Sequence, residues 1–466
     1  MKNLLFLISV FSVFYFSSCL NENFDTSPDI KLQFSTDSVV FDTVFSGIGS
    51  ATRYFKVYNP SDKKIKISEI RLGKGSASKY RLNIDGLPAP AVENIEIAGK
   101  DSMYIFVEVT INTNQDMLLE QDSIIFLTNG NYQDIKLLAW GQDVHFINAK
   151  IINTTTWTND KPYLVYNSML VDSNQTLTLE AGTHIHFHRG SRMYVLGTLI
   201  INGTLDEPVI LEGDRLEYMY FDVPGQWNGI WLMNGSKHNN FSYAEIKNAI
   251  IGIQADTLAD VNVPTLTLQN CKIEHHSYAG LYAQGATVSA FNSLFADCGY
   301  YAVALTIGGS YEFYHCTIAN YWSNTFRDRP SLVLNNYYEY EKQPIIRPID
   351  KALFANCIIY GNKKTEIAID KHPDGVLNYY FDHCLIKSED DLEPAENFNG
   401  IILNQDPLFV NTDNYDYELD TLSPAINKAD INYINSYLSL LQFDIKGFER
   451  LTDQKADIGA YERENN

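Results

Sequence analysis

Between Tyr321 and Asp350 the chain gathers Trp322, Tyr337, Tyr338 and Tyr340 with Arg327, Arg329 and Arg347. Aromatic faces stack on sugar rings, and a guanidinium fork takes a carboxylate through two parallel bonds. That mixture suits a glycan containing uronic acid. The same segment would serve equally as a brace or cap on the structure it interrupts, and both readings stay open.

A second group rests on alternation. His184, His186 and His188 occur at every other position, with Ile185 and Phe187 between them. On a strand this sends three imidazoles to one face and the apolar pair to the other. An HxH pair supplies two ligands of a zinc site, but a third ligand from a neighbouring strand cannot be named. No metal is assigned, and solvent-facing histidines are expected.

Lys272 and Glu274 share one outward face, Glu245 and Lys247 do so one repeat earlier, and Asp328 stands beside the arginines. A polysaccharide lyase needs a base that abstracts the proton beside a uronate and a cation on its carboxylate, with Ca²⁺ a candidate. A glycoside hydrolase needs paired carboxylates at set separations. These residues match neither arrangement, so catalytic residues stay unassigned. No phosphate-binding glycine loop, Ser-His-Asp order or kinase signature appears.

The elements that position these groups are strands. Val, Ile and Thr runs recur between Gly and Asn turns, and aromatics make up 13% of the chain, the composition of pleated, half-buried surfaces. In the C-terminal half the runs repeat. Ala244, Cys271, Ser293, Cys316, Cys357 and Cys384 align at steps of 27, 22, 23, 41 and 27 residues. Two positions on stand Ile246, Ile273, Phe295, Ile318, Ile359 and Ile386; one position before stand Tyr243, Asn270, Asn292, His315, Asn356 and His383. From the second repeat, three positions before, come Leu268, Ala290, Phe313, Phe354 and Phe381. Small and aliphatic positions two apart share an interior face, so each repeat reads as one coil stacked on the last at about 4.8 Å. The polar column marks a bend, and crossover handedness makes the coil right-handed. The 41-residue step makes 321–350 an excursion from the coil. Leu294, Ala296, Ile358, Tyr360 and Leu385 are outward yet apolar, so the excursion or the C-terminal block must cover them. Four of the six cysteines fall in the small column, where parallel Cβ vectors suit a disulfide poorly; buried thiols are expected.

Several stretches resemble known families. Gly182-Thr183-His184-Ile185-His186-Phe187, Gly203-Thr204 and Trp227-Asn228-Gly229-Ile230-Trp231 resemble the opening rungs of right-handed β-helix proteins. Asp406-Pro407-Leu408-Phe409-Val410, Tyr415 to Leu419, Ser423-Pro424-Ala425-Ile426-Asn427, Asp444 to Gly447 with Arg450, and Asp457 to Glu462 occur in that order. The series resembles the C-terminal region of choice-of-anchor Q β-helix proteins, many of them Bacteroidetes lipoproteins. The resemblance covers roughly residues 150–466 and implies fold and compartment, since that family has no single activity. Residues 32–145, with Tyr54-Phe55-Lys56-Val57-Tyr58, Met103 to Val107 and the turn Asn59-Pro60-Ser61-Asp62, resemble immunoglobulin-like domains of the ASH/Hydin type. Such domains imply a spacer or adhesion module.

Lys2, the apolar stretch Leu4–Phe16 and Ser17-Ser18-Cys19 have the layout of a secretory signal, too short to span a membrane. Small residues before a cysteine resemble the bacterial lipobox, which implies cleavage before Cys19 and a lipid on its sulfur. Glu22 and Asp25 resemble the acidic tether of surface-exposed Bacteroidetes lipoproteins. With 35 basic against 57 acidic residues and a net charge of −22, nucleic acid is an unfavourable partner.

The expectation is an all-β cell-envelope lipoprotein, anchored at the outer membrane with its face left open. It comprises a signal peptide (1–18), a tether (19–31), an immunoglobulin-like sandwich (32–145), a right-handed parallel β-helix (146–400) and a C-terminal segment (401–466). The partner is a polysaccharide or another envelope protein, bound without catalysis and without a cofactor. The alternative is a lyase or glycoside hydrolase acting on a uronic-acid-containing glycan.

Overall fold

The computed structural model describes residues 24–112, 117–256, 264–452 and 454–463. The signal stretch and Cys19 lie outside them. The chain divides into two compact units, Met1–Asp143 and Val144–Asn466. Among the described residues no helix is long and apolar enough to cross a membrane.

The first unit is a β-sandwich of two five-stranded sheets. Its strands alternate strictly: Phe55 and Val57 are buried while Tyr54 is exposed, and Met103, Ile105 and Val107 are buried while Tyr104 and Phe106 face outward. Pairing is antiparallel except where Ser38–Phe45 runs parallel to Asn131–Gln142 and at the isolated parallel bridge of Phe24 with Lys64. The inner faces interdigitate Phe55, Ile67, Ile105, Ile124, Phe126 and Leu137 into one core, as period-two patterning requires.

The second unit is a right-handed parallel β-helix with three faces. One coil shows the order: Leu266–Gln269 lies on face III, Lys272–His276 on face I, Ala279–Gln284 on face II, and Thr287–Phe291 returns to face III. Each strand pairs in parallel with its counterpart on the next coil, so like residues stack. Phe313, Phe354, Phe381 and Phe398 form a column with ring centroids 4.9, 4.7 and 5.2 Å apart. The small column is fully buried, and Cys271, Cys298, Cys316, Cys357 and Cys384 are free thiols. The preceding polar column turns the corner from face III to face I in the left-handed region, with φ of 46, 54, 46, 49, 56 and 50° from Tyr243 to His383. Asn tolerates this backbone best of the non-glycine residues. Only part of the column bonds along the axis. Asn356 Nδ2 meets His315 Nε2 at 2.9 Å, whereas Asn292 donates to the carbonyls of Leu440 and Phe443.

The segment 321–350 departs from the coil only in part. Leu332–Asn335 is a face II strand paired with Tyr301–Thr306 and Ile367–Asp370, and Leu332 and Leu334 lie in the core. The 41-residue step therefore contains a full coil with an enlarged corner at 321–330 and a projecting hairpin, Tyr337–Tyr340 against Gln343–Ile346.

The C-terminal segment covers face I of the later coils. Leu294, Ala296 and Ala319 pack with Tyr417, Ile445, Ala460 and Tyr461, and Ile358, Tyr360 and Leu385 pack with Leu419, Ala425 and Ile458. Gly459 donates its N–H to Asn356 O, and a Cβ there would lie 2.8 Å from Ile358 and 2.9 Å from Thr317. Buried Arg450 joins Glu462 (3.0 Å), Asn292 Oδ1 (2.9 Å) and Gly459 O (3.0 Å).

Candidate functional site

Face I is charged where the C-terminal segment leaves it open. Parallel register sets His186 beside Glu212, Glu212 beside Lys247, and Lys247 beside Glu274, with Glu245 and Lys272 in the adjoining column. His184 Nε2 lies 2.7 Å and Lys247 Nζ 2.9 Å from the two Glu212 oxygens, and Lys272 reaches Glu245 at 3.2 Å. Burial alone would raise Glu212, but the His184 hydrogen bond and the Lys247 charge bring it down to about 2. His186 faces outward as alternation requires, yet it is buried; the solvent-facing expectation fails because the neighbouring coil covers it. Burial, helped by the charge of His184, lowers its imidazole to about 3.

Glu274 ends this ladder. Lys272 and Lys247 are engaged with Glu245 and Glu212, so Glu274 has no ion pair among the described residues. Beside it, His275 and Asp297 stack on consecutive coils, both in the left-handed region (φ 59° and 52°). Glu274, His275 and Asp297 bring one donor atom each to within 4.8 Å of the others. Asp297 Oδ2 accepts from Tyr417 (2.7 Å), while its buried Oδ1 completes no hydrogen bond of normal geometry, although the Tyr321 backbone N–H acts on the carboxyl. Asp222, from the corner loop after Val209–Gly213, stands 3.7 Å from His275 Nε2, and the Tyr415 ring lies edge-on to His275 at 4.3 Å. Burial, then the neighbouring carboxylate charge, pushes Glu274 up to about 8, and burial pushes Asp297 up to about 7.

Face II presents aromatics instead. Tyr194, Trp231, Gln254 and Tyr282 fall in one register across four coils. The Arg192 guanidinium lies 5.9 Å from the Tyr194 ring centroid and 5.4 Å from that of Trp231. Gln254 Nε2 donates to Asp256 Oδ2 at 2.7 Å. Burial raises the Asp256 carboxyl, while Gln254 and the Trp231 indole N–H act on it in the opposite direction. At the rim, Tyr278 contacts Tyr300 (4.9 Å), Tyr282 (5.8 Å) and Tyr301 (6.4 Å), and the Arg329 charge acts on Tyr278 and Tyr301.

The residues singled out between 321 and 350 do not converge. Trp322 is buried, its indole N–H on Thr325 Oγ1. Arg327 is buried and holds Glu366 through both terminal nitrogens (2.8 and 2.6 Å). Arg329 reaches the tyrosine rim. Tyr337, Tyr338 and Tyr340 ride on the hairpin, with Tyr340 60% exposed and the Tyr337 hydroxyl donating to Asp370. Arg347 is half-buried at the end of that hairpin. A groove of about 900 Å³ lies nearby, lined by Asp328, Lys363, Lys364, Glu389 and Phe398 among others; Lys364 and Glu389 pair across it at 3.1 Å. Sequence reasoning missed Tyr194, Trp231, Tyr282 and Arg192, along with Asp222 and Asp297. The signal was the outward position one residue from each interior aliphatic, hidden by unequal steps between coils.

The family model described as a right-handed beta helix region matches residues 258–407. No curated protein matches the chain. Among solved structures, the Escherichia coli chaperone DraB is similar at 14% identity over 24% of this chain and 55% of its own, with a TM-score of 0.18. A family 123 glycoside hydrolase from Clostridium perfringens is similar at 6% identity over 27% of this chain and 31% of its own, with a TM-score of 0.19. The chain spans just over half of the first structure and less than a third of the second, and likenesses at these scores carry no functional argument.

Proposed function

We propose that this protein is a cell-envelope lipoprotein whose β-helix binds a carbohydrate polymer along face II without cleaving it. The observation that carries the reading is the register of Tyr194, Trp231, Gln254 and Tyr282 with Arg192 over the rings. Coil stacking spaces these side chains regularly along the axis, so an extended chain of sugars meets aromatic faces in series. Arg192 and Arg329 supply forks for uronate carboxylates within an otherwise acidic protein. Gln254 and Trp231 both act on the Asp256 carboxyl, which holds the aromatic register in place from beneath. A lipid on Cys19 anchors the chain, and the sandwich, read as immunoglobulin-like, serves as spacer. The choice-of-anchor Q-like C-terminal segment belongs to the same envelope reading. A second reading, lyase or hydrolase, draws on Glu274 and Asp297, two neighbouring carboxyls raised to about 8 and 7 and so able to hold a proton for transfer near neutrality.

The test uses the chain from Phe24 onward, offered neutral and uronic-acid-containing polysaccharides with and without Ca²⁺. Retention in affinity electrophoresis and product mass spectra are read together. Trp231→Ala and Tyr282→Ala are each expected to weaken retention about tenfold, the scale of one lost ring contact. Full retention by both variants refutes the face II assignment. Unsaturated fragments establish a lyase and saturated ones a hydrolase, and either removes the non-catalytic part of the proposal.

A further inference from the structure

We propose that Glu274, His275 and Asp297, with Asp222 from the facing corner loop, form a binding site for a divalent transition-metal cation of the zinc class. Among the described residues, three clusters bring His and carboxylate donors together: His184 with His186 and Glu212, Asp382 with His383 and Asp430, and this one. In the first, Glu212 is already shared between His184 and the Lys247 ammonium, and His186 Nδ1 meets Gly213 O at 3.3 Å. A cation there would have to displace a lysine at 2.9 Å. In the second, Asp382 accepts from Tyr433 (2.6 Å), Asn399 (2.8 Å) and His383 (2.7 Å). Both clusters are internally satisfied.

The Glu274 cluster is not. Its carboxyl lacks an ion pair among the described residues, because both adjacent lysines are engaged elsewhere. Asp297 is buried, with only 3% of it exposed; the Tyr321 backbone N–H acts on its carboxyl, yet Oδ1 completes no hydrogen bond of normal geometry. Asp222 adds a third carboxylate within 3.7 Å of the imidazole. Three carboxylates thus converge on one imidazole with no cation in contact, and a buried acceptor left unmade is a standing cost that a metal removes. One nitrogen with several oxygens suits zinc or its neighbours better than calcium, which takes six to eight oxygens. A tetrahedral zinc places its donors about 3.3 Å apart. Contraction from the present spacing falls to Glu274, which is only partly buried and free of bonds that would hold it back. The Tyr417 hydroxyl on Asp297 Oδ2 orients that carboxylate from behind, as outer hydrogen bonds do at metal centres. A cation bound here would tie the Asp222 loop to the coil.

The experiment takes the chain from Phe24 onward, stripped with chelator, and titrates Zn²⁺ calorimetrically; Co²⁺ is added separately to read its visible absorption. One equivalent of Zn²⁺ is expected to bind. His275→Ala and Asp297→Asn each weaken it at least about tenfold, and Co²⁺ shows the ligand-field bands of a nitrogen-containing low-symmetry site. Glu274→Gln, at a partly exposed position that packing does not depend on, weakens binding while leaving the unfolding temperature within a few degrees. His186→Ala leaves the affinity unchanged. Absence of binding overturns the proposal. So does binding that survives Asp297→Asn and Glu274→Gln, or that is lost with His186→Ala.

Discussion

His186 and His276 are buried within the coil, and burial lowers both imidazoles to about 3 from an ordinary 6.5. His276 accepts the Ala249 N–H through Nδ1, which requires the neutral ring. His315 is lowered by burial and by the charge of Arg450. The unfolded chain binds protons on these rings that the folded chain refuses. Their contribution to stability is therefore whole above pH 6.5 and is lost as the pH falls toward 3, at up to about 1.4 kcal/mol per unit for each ring. Glu212, held at about 2, adds to the loss below its ordinary 4.5, whereas Glu274, Asp297 and Glu462 oppose it because their folded forms keep protons. Between about pH 6.5 and pH 4 the His276→Gln variant, which keeps an acceptor for Ala249, is expected to lose less of its unfolding midpoint than the parent chain. Parallel pH profiles for the two chains contradict a neutral buried ring at His276. That His186 points away from the core was legible from alternation with Ile185 and Phe187. Its burial was not, because Glu212 and Lys247 come from other coils and no local pattern announces them.

Corner loops are the elements in which this coil departs from its repeat, and one ion pair organises the corner at 321–330. Glu366 receives Arg327 through both terminal nitrogens, the Ser331 N–H (2.9 Å) and hydroxyl (2.7 Å), and the Lys363 N–H (2.7 Å). Arg327 also bonds the carbonyls of Asn320 and Arg329. Loops 321–330 and 362–366 are thereby joined across successive coils. Removing one member leaves the other charged and buried, which costs about 3–5 kcal/mol. Arg327→Met and Glu366→Gln are each expected to lower stability on that scale in urea unfolding, and the double variant to lose less than the sum. Both single variants should bind polysaccharide normally below their unfolding transition; a selective loss of binding in Arg327→Met would return this residue to the ligand site. The interior of these elements could be read from the sequence because Phe313, Phe354 and Phe381 repeat in phase with the small column. The corners could not, since their lengths vary and an arginine among aromatics reads the same whether it faces a ligand or a buried glutamate.

At the scale of the whole second unit, the C-terminal segment converts an unfinished coil into a closed one. The outward apolar column of face I already showed in the sequence that something must lie over Leu294, Ile358 and Leu385. Which segment does so depends on contacts more than a hundred residues apart, such as Ala460 N–H to Thr317 Oγ1 and Arg450 to Asn292 Oδ1. The same closure completes the Glu274 cluster, because Tyr415 and Tyr417 reach His275 and Asp297 only from the covering segment. Truncation after Asn404 would expose Leu294, Ala296, Ile358, Tyr360 and Leu385 together, along with corner amides that bond to the segment. A continuous apolar patch of this kind on a sheet drives association. The truncated chain is therefore expected to bind a hydrophobic dye and to self-associate in analytical ultracentrifugation, while its far-ultraviolet spectrum stays β-rich because the coil ladders do not involve the segment. Ile358→Lys with Leu385→Glu in the truncated chain should restore the monomer by breaking the patch. A truncated chain that remains monomeric and dye-free would mean that face I tolerates water. The packing of Ile458 and Tyr461 on that face would then contribute little to holding the molecule together.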